Sequence, residues 1–158
     1  MNIFIVRHSE AEYIGSGPGG DRQLTGEGRR LIETSASNWL KFITSPGLIL
    51  SSPALRTRQT MEVIIKTLRF EGESKTATEL LGGTPVTDIY ELLGTIKEEN
   101  VMLVMHEPET SLLLADACGN GPFEVYFKPG TIAKVAFPGK PRSEAGKLHF
   151  FLPPDIFD

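Results

Sequence analysis

Two histidines in this sequence each stand just past the end of a short apolar run. Ile3-Phe4-Ile5-Val6 leads into Arg7-His8-Ser9-Glu10, and Val101-Met102-Leu103-Val104-Met105 leads into His106-Glu107-Pro108. A third run, Leu48-Ile49-Leu50, opens into Ser51-Ser52-Pro53, with Arg56 three residues on. A histidine ring can attack phosphorus and carry a phosphoryl group. Arginine forks can hold the charge spread over a transferring phosphoryl group. Arg7, Arg56 and a protonated or donating His106 would then surround His8. Backbone N–H groups after the first run would add donors.

These groups meet only if the three runs are neighbouring strands, because open α/β sheets bind ligands outside the carboxyl ends of their strands. Asn2 to Val6, Leu48 to Leu50 and Val101 to Met105 read as buried parallel strands. Between them lie a glycine-rich loop from Glu10 to Gln23 and a helix capped by Thr25. That helix carries Leu31, Ile32, Ala36, Trp39, Leu40 and Ile43, and Ser45-Pro46-Gly47 stops it. Ser52 is the expected N-cap of a second helix, with Pro53 at its first turn and Leu68 near its end. Phe70 to Thr78 reads as polar and irregular. Val86 to Ile96 is a third helix. Pro108 to Cys118 is a fourth, closed by Gly119-Asn120-Gly121-Pro122. Thr131 to Phe137 and Lys147 to Leu152 are late strands. The pattern predicts a single-domain three-layer α/β sandwich spanning 1–158. Its central sheet is mostly parallel with antiparallel additions, and helices cover both faces.

The chain has 158 residues, 40% hydrophobic and 23% charged, with a formal net charge of -4. A nucleic-acid partner needs a basic field, which this chain lacks as a whole. The single cysteine, Cys118, excludes an intrachain disulfide and a thiolate zinc cluster, and reads as a small buried side chain. No cluster has metal-ligand spacing, and the glycine-rich loop lacks the context of a nucleotide-binding P-loop. No apolar run reaches the roughly 18 to 20 residues of a membrane span, and no leader pattern stands at the amino terminus. The expectation is a cytoplasmic protein with neither cofactor nor metal.

Four segments carry a resemblance. Val6 to Glu10 (Val-Arg-His-Ser-Glu), Arg22 to Gly28 (Arg-Gln-Leu-Thr-Gly-Glu-Gly), Ser51 to Thr60 (Ser-Ser-Pro-Ala-Leu-Arg-Thr-Arg-Gln-Thr) and Met105 to Pro108 (Met-His-Glu-Pro) together resemble the histidine phosphatase superfamily. The compact length and the short Phe70 to Pro85 connection look most like its small SixA-type phosphohistidine phosphatases, with a phosphoglycerate mutase-like fold. The resemblance implies that His8 is the nucleophile and that Arg7, Arg56 and His106 clamp the phosphate. Two positions depart from the family's habit. Ser9 follows the first histidine where glycine is usual, and Met105 precedes the second where glycine or serine is usual. Ser9 can crowd the phosphate or donate a hydroxyl to it, and Met105 can face the core. Arg22 is a further candidate substrate contact from the loop. Glu79, Glu10 and Glu107 are candidate proton donors, and Glu79 matches the place where related phosphatases carry their acid. Arg58, Asp88 and Glu91 read as solvated, and His149 as structural.

The implied activity is removal of a phosphoryl group from a phosphohistidine-bearing protein. The alternatives are hydrolysis of a small phosphomonoester, a phosphomutase, and a non-catalytic phosphate-binding module. A further alternative is a structural domain whose histidines lie at strand ends by coincidence.

Overall fold

The computed structural model describes residues 1–119, 121 and 123–157. Ten regular elements follow one another: β1 Asn2–Arg7, α1 Gly26–Trp39, β2 Leu48–Ser51, α2 Leu55–Leu68, β3 Glu73–Thr76, α3 Val86–Thr95, β4 Asn100–Met105, α4 Glu109–Cys118, β5 Ile132–Ala136 and β6 Lys147–Leu152. The strands form one sheet in the order β3-β2-β4-β1-β5-β6. β1, β4, β2 and β3 run parallel, and β5 and β6 add antiparallel pairs.

Successive side chains of a strand point to opposite faces, and the two cores divide accordingly. Ile3, Ile5, Leu48, Leu50, Leu103 and Met105 pack with Ile89 and Leu93 of α3 and Leu113 and Leu114 of α4. Phe4, Val6, Ile49, Met102 and Val104 pack with Ile32, Ala36 and Trp39 of α1 and Met61 and Ile64 of α2. The expected three layers are present, with a helix pair on each face.

Register decides what the sheet presents. Arg7 of β1 lies opposite Met105 of β4, and Ser51 of β2 lies opposite Val104. The strands end side by side, so the residues that follow them emerge at one edge.

Several local expectations change. Phe70 to Thr78 contains β3, whose four side chains are all exposed. An edge strand with no buried face leaves no hydrophobic period to read. α1 stops at Trp39, and Leu40 is 59% exposed rather than on the helix's apolar face. α2 begins at Leu55, not at Pro53. Its first N–H is capped by a carboxylate from far away in sequence, since Leu55 N donates to Asp21 Oδ2 at 2.9 Å. At the end of α4, Gly119 N donates to Ala115 O at 2.8 Å. Asn120 and Pro122 of the expected closing run lie outside the described residues.

The start of α1 is held closely against the chain that follows β1. Thr25 caps it by accepting from Gly28 N at 2.9 Å, and Thr25 N donates to Glu10 O at 3.0 Å. A Cβ on Gly28 would lie 2.1 Å from Glu10 O. No side chain fits there without moving backbone. Gly28→Ala is therefore expected to lower stability by about 2 kcal/mol or more, the upper part of the overpacking range, read as a lower urea midpoint. A midpoint equal to wild type would show that the contact yields freely.

Candidate active site

His8 and His106 come together at the sheet edge, their rings 5.5 Å apart and nearly edge-to-face. Both are buried, 7% and 4% exposed. Each ring has a defined tautomer because its partners leave no choice. His8 Nδ1 lies 2.7 Å from Ser9 O. A carbonyl only accepts, so Nδ1 carries the proton and the lone pair is on Nε2. Arg56 Nη2 lies 3.1 Å from His106 Nδ1. A guanidinium only donates, so His106 Nδ1 accepts and Nε2–H donates to Ser52 Oγ at 2.8 Å.

The electrostatics agree with two neutral rings. Burial is the largest cause holding His8 down to about 3; its bond to Ser9 O opposes this, and His106, Arg56 and Arg7 add to the depression. His106 is held down to about 4, again by burial first and then by Arg56. Of the two forms expected for His106, protonated or donating, this structure has the donating one. In this state it is neutral, and both of its nitrogens are engaged.

The arginines are fixed from outside the rings. Arg7 Nη1 donates to Phe127 O at 2.7 Å, and Gly130, at φ 80°, turns the chain so that its N–H reaches Arg7 O at 3.2 Å. Arg56 Nη1 stands 3.8 Å from Asp21 Oδ1, whose other oxygen caps α2. Burial lowers the proton affinity of both guanidiniums, and Arg22 lowers each further. Arg7 Nε and Arg56 Nε are buried with no hydrogen-bond partner in the protein. Two orphaned cationic N–H groups beside a free imidazole lone pair suit an anion with several oxygens.

Ser9 is turned away from this cluster. Its hydroxyl donates to Gly28 O at 2.7 Å and its N–H donates to Thr60 Oγ1 at 3.1 Å. The N–H of His8 donates to Met105 O at 3.0 Å. Neither Ser9 nor the backbone N–H groups of residues 8 and 9 are available as anion donors, which corrects that expectation. Ser9 joins the strand end to α1 instead. Met105 is fully buried in the core, as one of its readings had it.

Arg22 lies near Arg7 and His8. It lines a cleft of about 370 Å³ with Arg7, His8, Glu10 and Tyr13, and its Nε donates to Glu12 O. Of the three acid candidates, only Glu10 lines this cleft. The Glu107 carboxylate accepts from the Thr110 hydroxyl and from Ser111 N at 3.0 Å, at the start of α4. Glu79 receives the Thr78 hydroxyl at 3.4 Å and lines a separate cleft of about 480 Å³ beside β2 and α3. Among the described residues, no three His, Cys, Asp or Glu side chains group as a metal site needs. No helix among them is long and apolar enough to cross a membrane.

Several supports were not singled out in the sequence. Ser52 was read as a cap; its Oγ accepts from Ala54 N at 3.4 Å and, beyond that reading, also holds His106 Nε2. Gln59 Oε1 accepts from Leu24 N at 2.8 Å, and Thr60 holds Ser9 while donating to Arg56 O at 2.8 Å. Arg56, Gln59 and Thr60 follow i, i+3, i+4 spacing, which places them along one side of α2. That spacing was the available signal. Asp21 had none, since its partner Leu55 is 34 residues away.

The family described as the histidine phosphatase superfamily (branch 1) matches residues 3–80. A relative from Haemophilus influenzae, called a phosphohistidine phosphatase SixA homolog, is 32% identical over 153 residues, covering 88% of this chain and 90% of its own. The chain belongs to the histidine phosphatase superfamily. It is accordingly a hydrolase of the phosphatase kind. Solved structures agree on the fold. The protein histidine phosphatase SixA complexed with tungstate superposes with a TM-score of 0.86 at 24% identity, covering all of both chains. The alpha-ribazole phosphatase from Shigella flexneri superposes with a TM-score of 0.65 at 16% identity, covering 92% of this chain and 96% of that one. The architecture of this histidine phosphatase is the phosphoglycerate mutase-like α/β sandwich.

Two neutral buried histidines have a consequence for stability. An unfolded imidazole titrates near 6.5, whereas these stay neutral to about 3 and about 4 in the fold. Below about pH 6.5 the unfolded chain therefore binds protons that the folded chain refuses, and stability falls with pH down to those lower values. Each ring contributes a slope of about 1.4 kcal/mol per pH unit over its window. Urea midpoints measured from pH 7 to pH 5 are expected to fall, and the variant with His8→Asn and His106→Asn is expected to fall less steeply. Equal slopes would place the acid sensitivity elsewhere.

Proposed function

We propose that this chain hydrolyses phosphohistidine carried on a protein, through a phosphoryl intermediate on His8. The observation that supports this most is the state of the His8 ring, neutral and with its lone pair fixed on Nε2 by the Nδ1–H bond to Ser9 O. In the first step Nε2 attacks phosphorus, and the bond from phosphorus to the substrate's ring nitrogen breaks. A substrate ring protonated on its other nitrogen leaves as neutral imidazole, so this step needs no dedicated acid. Arg7, Arg56 and Arg22 neutralise the three non-bridging oxygens as charge shifts between them. In the second step water attacks the phosphoryl group. The Nδ1 proton, kept in place by Ser9 O, lets the His8 ring depart neutral. Phosphate is released and the starting tautomer returns.

The name of the Haemophilus influenzae relative supports the choice of phosphohistidine. The short passage over residues 77–85 between β3 and α3 supports a protein-borne substrate, because a single turn at Thr78–Leu80 is too short for a cap subdomain. Glu79 receives no step in this scheme. Residues 1–158 are read as one catalytic domain, since both cores share one sheet.

The test is to quench the enzyme during turnover of a histidine-phosphorylated protein and locate the phosphoryl group. Mass spectrometry is expected to find it on His8, and phosphorus NMR to place it on Nε2. Absence of a phosphoryl-enzyme, or attachment to another residue, would overturn the reading.

A further inference from the structure

Beside the phosphoryl site lies a groove that is more apolar than an ordinary wet surface. It measures about 430 Å³ and runs between α4 and the segment 123–126. One end is Glu107, the residue after His106. Its walls carry Leu112, Phe123 and Tyr126, which are 52%, 42% and 74% exposed. Tyr126 precedes Phe127, whose carbonyl accepts from Arg7 Nη1 at 2.7 Å, so this wall of the groove lies next to the arginine that precedes His8. Tyr13, which lines the His8 cleft, and its neighbour Ile14 are 98% and 85% exposed. Single exposed apolar residues are ordinary, but three lining one groove, Leu112, Phe123 and Tyr126, mark an interaction surface.

We propose that this groove seats an apolar face of the substrate protein lying next to its phosphohistidine. The proposal rests on the function given above and adds where discrimination arises. A histidine side chain is short. The backbone that carries it must come down to the rim of the His8 cleft and bring its neighbours onto the walls beside it. The groove lies close to that rim, since Glu107 directly follows His106 and Tyr126 adjoins the carbonyl that holds Arg7. The reacting atoms are the same in a free phosphoimidazole and in a phosphoprotein. Preference for the protein must then come from contacts remote from phosphorus, and the large apolar side chains beside the rim are placed to supply them.

Leu112 and Phe123 have no chemical role in the scheme and do not line the His8 cleft, so Leu112→Ser, Phe123→Ser and the double variant separate docking from chemistry. The probes are a phosphotransfer domain phosphorylated on its histidine and N-phosphorylated imidazole. For the double variant, KM for the domain is expected to rise about tenfold or more, as loss of a central apolar anchor does. Turnover of phosphoimidazole is expected to stay within about twofold. An unchanged KM for the domain would overturn the docking surface and leave the phosphatase reading standing. So would an equal fall on both substrates. A wild-type protein that gains nothing from the domain over phosphoimidazole would remove the protein-substrate reading, and the groove's role with it. Sedimentation velocity adds a further outcome. A dimer lost in the variants while KM is unchanged assigns the groove to a second copy of this chain and overturns the proposal.

Discussion

Replacing His8 with alanine is expected to abolish turnover while the protein stays folded. Loss of a nucleophile from a set of residues that act together lowers kcat by about 10⁶ in well-studied hydrolases. The backbone bond from His8 N to Met105 O survives the change, as do Ser9's bonds to Gly28 and Thr60. The ring that is lost is buried among positive neighbours, so its removal relieves the acid sensitivity rather than unfolding the sheet. Circular dichroism should match wild type, and phosphate should still bind. Steady-state turnover within about tenfold of wild type would remove His8 as the attacking group.

Arg56→Ala is expected to lower kcat/KM by about 10²–10³, the usual cost of removing one preorganised donor to a developing charge. A second effect distinguishes this residue from a generic cation. Arg56 donates to His106 Nδ1 and helps hold both rings neutral. Without it, the histidines should protonate at higher pH, and the acid limb of the pH profile should move up with them. Arg56→Lys should not restore the rate. A lysine head is a point donor and cannot reach both His106 and Asp21 as the planar fork does. A full rate in either variant would place Arg56 outside the chemistry.

The sequence told most where a residue's type already implied its task. His8, Arg7, Arg56 and His106 are unusual residues after apolar runs, and three runs of strand length imply three neighbouring ends. The helices read well where one face is buried, as with Ile32, Ala36 and Trp39. What stayed illegible depends on contacts between distant residues. β3 has no buried side chain, so nothing in Glu73 to Thr76 distinguishes it from a polar loop. Ser52 looked like a helix cap because serine before proline usually is one; its Oγ does accept from Ala54 N at 3.4 Å, but Asp21 meets the first helical N–H and the same Oγ also accepts from His106. Ser9 looked like an anion donor from its neighbour in sequence, but the close approach of Gly28 claimed its hydroxyl. A tautomer, too, cannot be read from one dimension. It needed Ser9 O and Arg56 Nη2 in place.

The position of β1 in the sheet also sets a timetable for the ribosome. β1 lies between β4 and β5, with Asn2 paired to Asn100 on one side and to Ala136 on the other. At typical elongation speeds of about 5–20 residues per second, its first partner follows roughly 5 to 20 seconds behind. Throughout that interval Ile3-Phe4-Ile5-Val6 is a β-branched, uncharged strand with both edges open, the kind of segment that recruits other chains. A pairing this distant also slows folding once the chain is complete. Newly made copies should therefore depend on chaperones that shield nascent strands, and pulse-chase yields of soluble protein should fall when those chaperones are depleted.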